Sequence, residues 1–415
     1  MRAYPFLNNS RSMLSQRYSL ILFYLFEFEQ NVRNTARSVY PEYPNRRQDE
    51  GRFFTFFSFK KLIGMKKILK QVCAIDVAQK ELVVILGRLL EDLTQELYSH
   101  KTFPNTLKGF MALVLWVKKL AGEQTGVRFV MEATGVYHES LAYFLDSKGH
   151  EVSIVLPNKI SNYMRTLDVK TITDKTACEA IARFGLDRKL DRWKRPNPIY
   201  KRLRQLTRER GQVIQARTIA KNQLHAEQAE AEPIDSSLAR TKKQIALLNK
   251  QEKEIETEIK TLSMKDEKVQ GSIKVVCSLT GVGLITAACV LGETNGFDLV
   301  RNKRQLTSYA GLDVKEKQSG TSVKAKPKIS KKGNKYLRKA MHMPALTAIK
   351  HDERFKAIYA RLICKHGIKM KAAVAVQRKL LEMIYTIFKT NTPYDKHYLQ
   401  KKEQTDQPEK SRAVI

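Results

Sequence analysis

Two acids and a serine stand in this sequence where chemistry on a phosphate ester would need them. Asp76 closes the apolar run of "VCAIDVAQKE", and Glu132 closes that of "VRFVMEATGVYHES". An acid at the end of a buried strand is delivered to the edge of an α/β sheet, where functional side chains gather. Two such acids on neighbouring strands converge, and converging carboxylates repel one another unless a hard cation lies between them. Ligation by oxygen alone points to Mg²⁺ or Mn²⁺, ions that assist displacement at phosphorus. Either acid alone has an ordinary reading as a strand-end turn or helix cap; the pair, in this strand order, favours the metal. A third acid, Asp174, opens "DKTACEAIARFG", where it either caps a helix or joins the other two.

Ser319 lies in "KEKQSGTSVKAKPKISKKGNKYLRKA", with no acid after Glu316. A hydroxyl that attacks phosphate needs its proton removed and the phosphate charge screened. Lys324, Lys326, Lys328 and Lys331 offer the screening, and Gly320 lets the backbone approach closely. Ser322 is the rival nucleophile, and an inert loop hydroxyl is the ordinary reading of either serine.

The elements that must position these groups follow from the hydrophobic period. "VCAIDVA" and "ELVVIL" read as strands joined by a polar turn, "TLKGFMALVLWVKKL" as a helix, "VRFVMEA" as a buried strand, "YHESLAYFLDSKG" as a helix and "HEVSIVL" as another strand. That is an α/β domain. Residues 200–269 change character: two charged helical stretches flank Pro233, with Leu203, Leu206, Val213 and Ile219, then Ile245, Leu248, Ile255 and Ile259, at three- and four-residue steps. They form an antiparallel helical hairpin or a dimerising coiled coil. Residues 272–392 read as a second, mainly helical unit. In it, "LTGVGLITAACVLGE" sets Gly281 and Gly283 at a helix start, as a phosphate contact or a tight helix–helix turn. "SKKGNKYLRKA" opens a basic helix, turning Tyr336 and Leu337 inward and Lys331, Lys332, Lys335, Arg338 and Lys339 toward a nucleic-acid backbone.

Charge narrows the partners. Lys and Arg number 75 against 42 Asp and Glu, a net charge of +33, and the excess recurs in 183–204, 324–339 and 365–379. A basic surface of that extent calls for a polyanion, nucleic acid being the commonest. The five cysteines are scattered and read as reduced core residues, and the histidines lack zinc-like spacing. The run "LILFYLF" is too short to span a bilayer.

The order of these pieces resembles the insertion-sequence transposases of the Piv invertase-like group, which join a RuvC-like DEDD domain to a C-terminal serine domain. "IDVAQKE" and "MEATGVY" match the family's first Asp and its Glu, and "LTGVGLITAACVLGE", "LTSYAGLDVKEKQSG" and "KISKKGNKYLRKA" match its C-terminal domain. The resemblance implies an α/β RNase H-like (RuvC-like) domain over 65–190, a helical coiled-coil segment over 200–269 and a mainly α C-terminal domain over 272–392. Residues 1–64 are then expected to be a non-native or unstructured extension and 393–415 a disordered tail. Asp76, Glu132 and Asp174 match the first three family acids. The fourth falls on Ala177, a departure, with Glu179 or Asp168 as substitutes. Ser319 matches the nucleophile.

The implied activity is a DNA transposase or recombinase acting through a phosphoserine intermediate with Mg²⁺ or Mn²⁺. Its partners are element-end and target DNA and a structured guide RNA from the element, and it acts in the bacterial cytoplasm, at the nucleoid. Strand exchange needs several active sites, so a homodimer assembling to a tetramer through 200–269 is expected. The alternatives are a Mg²⁺-dependent junction-resolving endonuclease and a non-catalytic nucleic-acid scaffold.

Overall fold

The structure, a computed structural model, describes residues 67–122, 126–133, 135–167, 171, 173–316, 318–319, 323–324 and 327–398. The extension before Met65, Asp168, Gly320, Ser322, Lys326 and most of the tail lie outside the described residues. The chain divides into two units, the first ending at Trp193 and the second beginning at Lys194.

The first unit is built on a mixed sheet of order β3-β2-β1-β4-β5. Its strands are β1 (Ile68–Val77), β2 (Glu81–Leu90), β3 (Gln95–Pro104), β4 (Val127–Glu132) and β5 (Glu151–Val155). β1, β2 and β3 run antiparallel in a meander, while β4 and β5 run parallel to β1. β1 is central and buried on both faces, which explains its unbroken apolar run. The sequence reading missed β3, "QELYSHKTFP". It is an edge strand with mostly part-exposed residues, so neither a continuous apolar run nor a clean alternation marks it.

Helices cover both faces. Odd-numbered Cys73, Ile75, Phe129 and Met131 face one core with α1 (Leu107–Ala121) and α2 (Glu139–Ser147). Even-numbered Val72, Ala74 and Val130 face another with α3 (Pro157–Met164) and α4 (Asp174–Asp187). By the two-residue strand period, Asp76 and Glu132 belong to the α4 face.

The second unit starts with α5 (Pro198–Gln228) and α6 (Asp235–Ser263). Arg202 pairs with Glu258 at 2.7 Å, Arg210 with Glu252 at 2.7 Å and Glu256 at 2.8 Å, and Arg217 with Glu252. Residue numbers rise on one helix as they fall on the other, so the two form an antiparallel hairpin within one chain. Near its base Leu203, Leu206, Ile255 and Ile259 are buried. Ile219, expected in the seam, is instead 52% exposed, and Ala220 takes the inner position.

Around that base pack α7 (Glu267–Cys277), α8 (Leu284–Thr294), α9 (Lys303–Tyr309), α10 (Lys335–Ala340), α11 (His342–His351), α12 (Glu353–His366) and α13 (Lys369–Thr390). Four two-residue strands interrupt the helices: β6 (Val314–Lys315) pairs with β9 (Lys328–Ile329), and β7 (Gln318–Ser319) with β8 (Val323–Lys324). Among the described residues no helix is long and apolar enough to cross a membrane.

Candidate functional site

β1 and β4 lie in parallel register with Ile75 opposite Met131, and one step further along each strand stand Asp76 and Glu132. Their carboxylates therefore leave adjacent strands side by side on the α4 face. That helix supplies the third acid at its first residue. Its N-cap is Thr173, whose Oγ1 accepts from the Thr176 amide at 3.2 Å while the Thr176 hydroxyl donates back to the Thr173 carbonyl at 3.0 Å. Asp174 is thus released from the capping duty that its position in the sequence suggests.

What holds α4 against the sheet is legible in its small residues. Cys178 donates through Sγ to the carbonyls of Ala74 at 3.4 Å and Val83 at 3.2 Å. A Cβ on Gly185 would sit 3.0 Å from Val72 and 3.2 Å from Val130, closer than ordinary contact. At the far end Lys70 donates to the carbonyls of Leu186 at 3.1 Å and Arg188 at 2.7 Å, fastening the helix terminus to the start of β1. The helix therefore runs against β1, with its N-terminal, electropositive end over Asp76. Gly185→Ala is expected to push α4 off the sheet at a cost of about 1–3 kcal/mol. A thermal melt unchanged from the wild type would show that the packing has slack.

Burial first, then the charges of Glu132 and Asp174, together push the Asp76 carboxyl up to about 6 against the opposing Val77 amide. Glu132 and Asp174 thus both bear electrostatically on Asp76. Ala177 occupies the fourth position, half-buried and without a ligand atom. Glu179, one substitute offered for the fourth acid, lies about 140° round the helix from Asp174. Among the described residues no three acid, His or Cys side chains stand close enough to form a cage for an ion. The donor set instead fits Mg²⁺ held as that ion commonly is, by one or two carboxylates with waters and a substrate phosphate completing the shell.

Ser319 ends β7, its backbone registered against Val323 across the ladder. The arm that carries it is anchored at its base. Gly311, at φ +67°, and Gly333, at φ +150°, press two loops backbone to backbone, and a Cβ on Gly333 would lie 2.5 Å from the Tyr309 carbonyl oxygen. Asn334 donates its amide to that carbonyl at 2.7 Å, and Ser330 donates its amide to the Asp313 carbonyl at 2.9 Å. Beneath lies a fully buried carboxylate, Glu293. It accepts from Arg208 Nε at 2.6 Å and Nη2 at 2.8 Å, and from Asn334 Nδ2 at 2.7 Å. Asn334 in turn caps α10, its Oδ1 accepting from the Tyr336 amide at 2.9 Å and the Leu337 amide at 3.2 Å. The Arg208 guanidinium stacks 4.4 Å from the Tyr336 ring centre. Sequence reading missed Glu293; its signal is a lone acid inside the apolar stretch "AACVLGETNGF".

The expected nucleic-acid contacts divide. Lys331, Lys332, Lys335 and Lys339 are exposed, as that role requires. Arg338 is not: its Nη1 donates to the Ala310 carbonyl at 2.8 Å, so it braces the arm's base. Gly281 also turns inward, at φ +89°, where a Cβ would lie 2.5 Å from the Pro344 carbonyl oxygen, whereas Gly283 is exposed at the N-cap of α8.

Comparison with known proteins gives two family matches. The IS110-type DEDD transposase domain matches residues 73–229, and the transposase IS116/IS110/IS902 family matches residues 273–360. The pilin gene-inverting protein of Moraxella lacunata is 28% identical over 309 residues, covering 73% of this chain and 93% of that protein. Its counterpart in Moraxella bovis is 28% identical over 297 residues, covering 71% and 90%. An uncharacterized 43.6 kDa protein of insertion element IS110 from Streptomyces coelicolor is 27% identical over 121 residues, 29% of this chain and 30% of that one. Among solved structures, Thermus thermophilus RuvC in complex with a Holliday junction substrate aligns with a TM-score of 0.22 and 10% identity, over 27% of this chain and 90% of RuvC.

Proposed function

We propose, for a chain that belongs to the IS110-type insertion-sequence transposases and carries both of their domains in order, that it cuts and rejoins DNA through a serine–phosphate intermediate aided by Mg²⁺. The observation that carries the reading is the placing of Asp76 beside Glu132 on adjacent strand ends, under a helix that begins with Asp174. Bound there, Mg²⁺ or Mn²⁺ neutralises the acids and stabilises charge building on the phosphate. Asp76 and Glu132 hold that ion directly, with Asp174 adding its charge from the first residue of α4; Ser319 makes the bond to DNA. As the Ser319 oxygen bonds to phosphorus, the bond from phosphorus to the leaving sugar oxygen breaks, and the serine proton ends on the released sugar hydroxyl. The phosphoester is exchanged rather than hydrolysed, so the reverse step rejoins the strand with no outside energy. Lys331, Lys332, Lys335 and Lys339 screen the DNA backbone.

A structured RNA encoded by the element guides the choice of DNA, and a homodimer pairing into a tetramer through the α5–α6 hairpin brings enough active sites together for strand exchange. The pilin gene-inverting relatives are consistent with site-specific rejoining.

Ser319→Ala is expected to abolish an SDS-stable protein–DNA adduct formed with labelled element-end DNA, the element's flanking RNA and Mg²⁺, while leaving DNA binding within about two-fold, because no phosphate-screening charge is lost. Mg²⁺-dependent cleavage that survives the substitution without any adduct would replace this reading with a junction-resolving endonuclease. Binding with no cleavage by the wild type would replace it with a scaffold.

A further inference from the structure

Past the ends of β1 and β4 the first unit leaves apolar surface open where a folded domain would be expected to cover it. Val136 is 69% exposed, Tyr137 42% and Leu107 61%. Val136 and Tyr137 follow Glu132 by four and five residues, through a turn at Gly135 with φ +55°. The Tyr137 ring folds back over that glycine, 3.8 Å from where a Cβ would stand. Asn105 fixes the arrangement: its Nδ2 donates to the Ala78 carbonyl at 2.9 Å and the Tyr137 carbonyl at 3.4 Å, and its amide donates to the Lys80 carbonyl at 2.8 Å. Leu107, two residues further on, opens α1 at the same rim, with Lys80 and Lys108 exposed beside it.

We propose that Tyr137, with Val136 and Leu107, forms a shelf for an unpaired nucleobase of the strand whose phosphate reaches Asp76 and Glu132. The inference rests on the DNA-cutting reading of those acids. Three things favour a base as the occupant. The shelf lies in the segments that leave the ends of β1 and β4 just after Asp76 and Glu132, where Asn105 ties Ala78 to Tyr137, the exposed charges at Lys80 and Lys108 are positive, and the surface is a flat aromatic edged by aliphatic groups. Bases inside a duplex have both faces stacked, so only an extruded or unpaired base offers a face to such a shelf. The shelf would thus select strand positions where pairing is already broken.

The test uses the full-length chain in EDTA, so that no cleavage is required, with a DNA duplex carrying one bulged 2-aminopurine and the same duplex fully paired. The wild type is expected to quench the bulged base and to bind that duplex more tightly. Tyr137→Ala should lose the quenching and weaken binding to the bulged duplex by about ten-fold or more, as loss of one base–aromatic stack does, while binding the paired duplex within about two-fold. Tyr137→Phe keeps the ring and should behave as wild type, which separates stacking from a folding defect. Equal quenching by wild type and Tyr137→Ala overturns the shelf, as does an equal loss on both duplexes. A wild type that binds neither duplex overturns the shelf and the DNA-cutting reading together. Loss of Mg²⁺-dependent cleavage in Asp76→Asn with the quenching intact upholds both.

Discussion

Asp76→Asn is expected to lower Mg²⁺-dependent strand cleavage by about three orders of magnitude, the scale on which removal of a charge-stabilising group acts. It is also expected to raise the melting temperature of the metal-free protein. The two effects have one cause. Burial and the neighbouring charges of Glu132 and Asp174 raise the Asp76 carboxyl from its ordinary 3.8 to about 6 in the folded chain. Between about pH 4 and 6 the folded state therefore holds more protons than the unfolded state, so stability falls as pH rises through that window and stays lower above it. The asparagine removes this loss, which is on the order of 1 kcal/mol once the part-exposed site is discounted for solvent screening. Melts in EDTA near pH 7 and near pH 4.5 should show a gain at the higher pH only. Added Mg²⁺ should stabilise the wild type, by about 1.4 kcal/mol at ten times its dissociation constant, and leave the variant unmoved. Wild-type cleavage by Asp76→Asn, or equal Mg²⁺ stabilisation of both proteins, would remove the acids from the chemistry.

Glu293→Gln should be strongly destabilising to the second unit, costing about 3 kcal/mol. The carboxylate is fully buried and accepts from three donors, two on Arg208 and one on Asn334. An amide turns one of its own donors toward them and removes the charge that keeps the guanidinium paired. For a unit of this size the expected fall in melting temperature is on the order of 10 °C. Because Arg208 and Glu293 share one network, Glu293→Gln and Arg208→Met together should cost less than the sum of the two alone. A fall below about 2 °C for Glu293→Gln would mean that water or rearrangement satisfies the cluster. Beyond stability, the cluster fixes Asn334, and Asn334 both caps α10 and ties its loop to the base of the Ser319 arm.

Asp76 and Glu132 were legible in the sequence because each ends an unbroken apolar run, and a central strand buried on both faces must read that way. Asp174 was ambiguous because an aspartate at a helix start is also a good cap; only the Thr173–Thr176 exchange of hydrogen bonds frees it. β3 was hidden by its edge position, which spares it the apolar pattern. Ile219 misled because a three- and four-residue period marks a face without saying how far along a hairpin that face stays covered. Arg338 and Gly281 were drawn toward DNA by their neighbours. The carbonyl that Arg338 bonds, that of Ala310, and the one that leaves no room for a side chain at Gly281, that of Pro344, lie 28 and 63 positions away in the chain, beyond the reach of local pattern. The Glu293 cluster joins α5, α8 and the residue before α10, and local pattern is equally blind to it.

The acids that act on Asp76 come from a strand and a helix made far from it in the sequence, and this sets an order in time. Synthesis proceeds at roughly 5–20 residues per second, so on the order of ten seconds separate the emergence of Asp76 from that of the helix that starts at Asp174. Until that helix has left the ribosome and closed on Ala74 and Val83, the growing chain has two exposed acids over an open sheet face. A message cut short before codon 174 yields a product that lacks the third acid, the covering helix and the serine arm at once. On the reading proposed above, a copy of the gene truncated there yields a product unable to cut DNA.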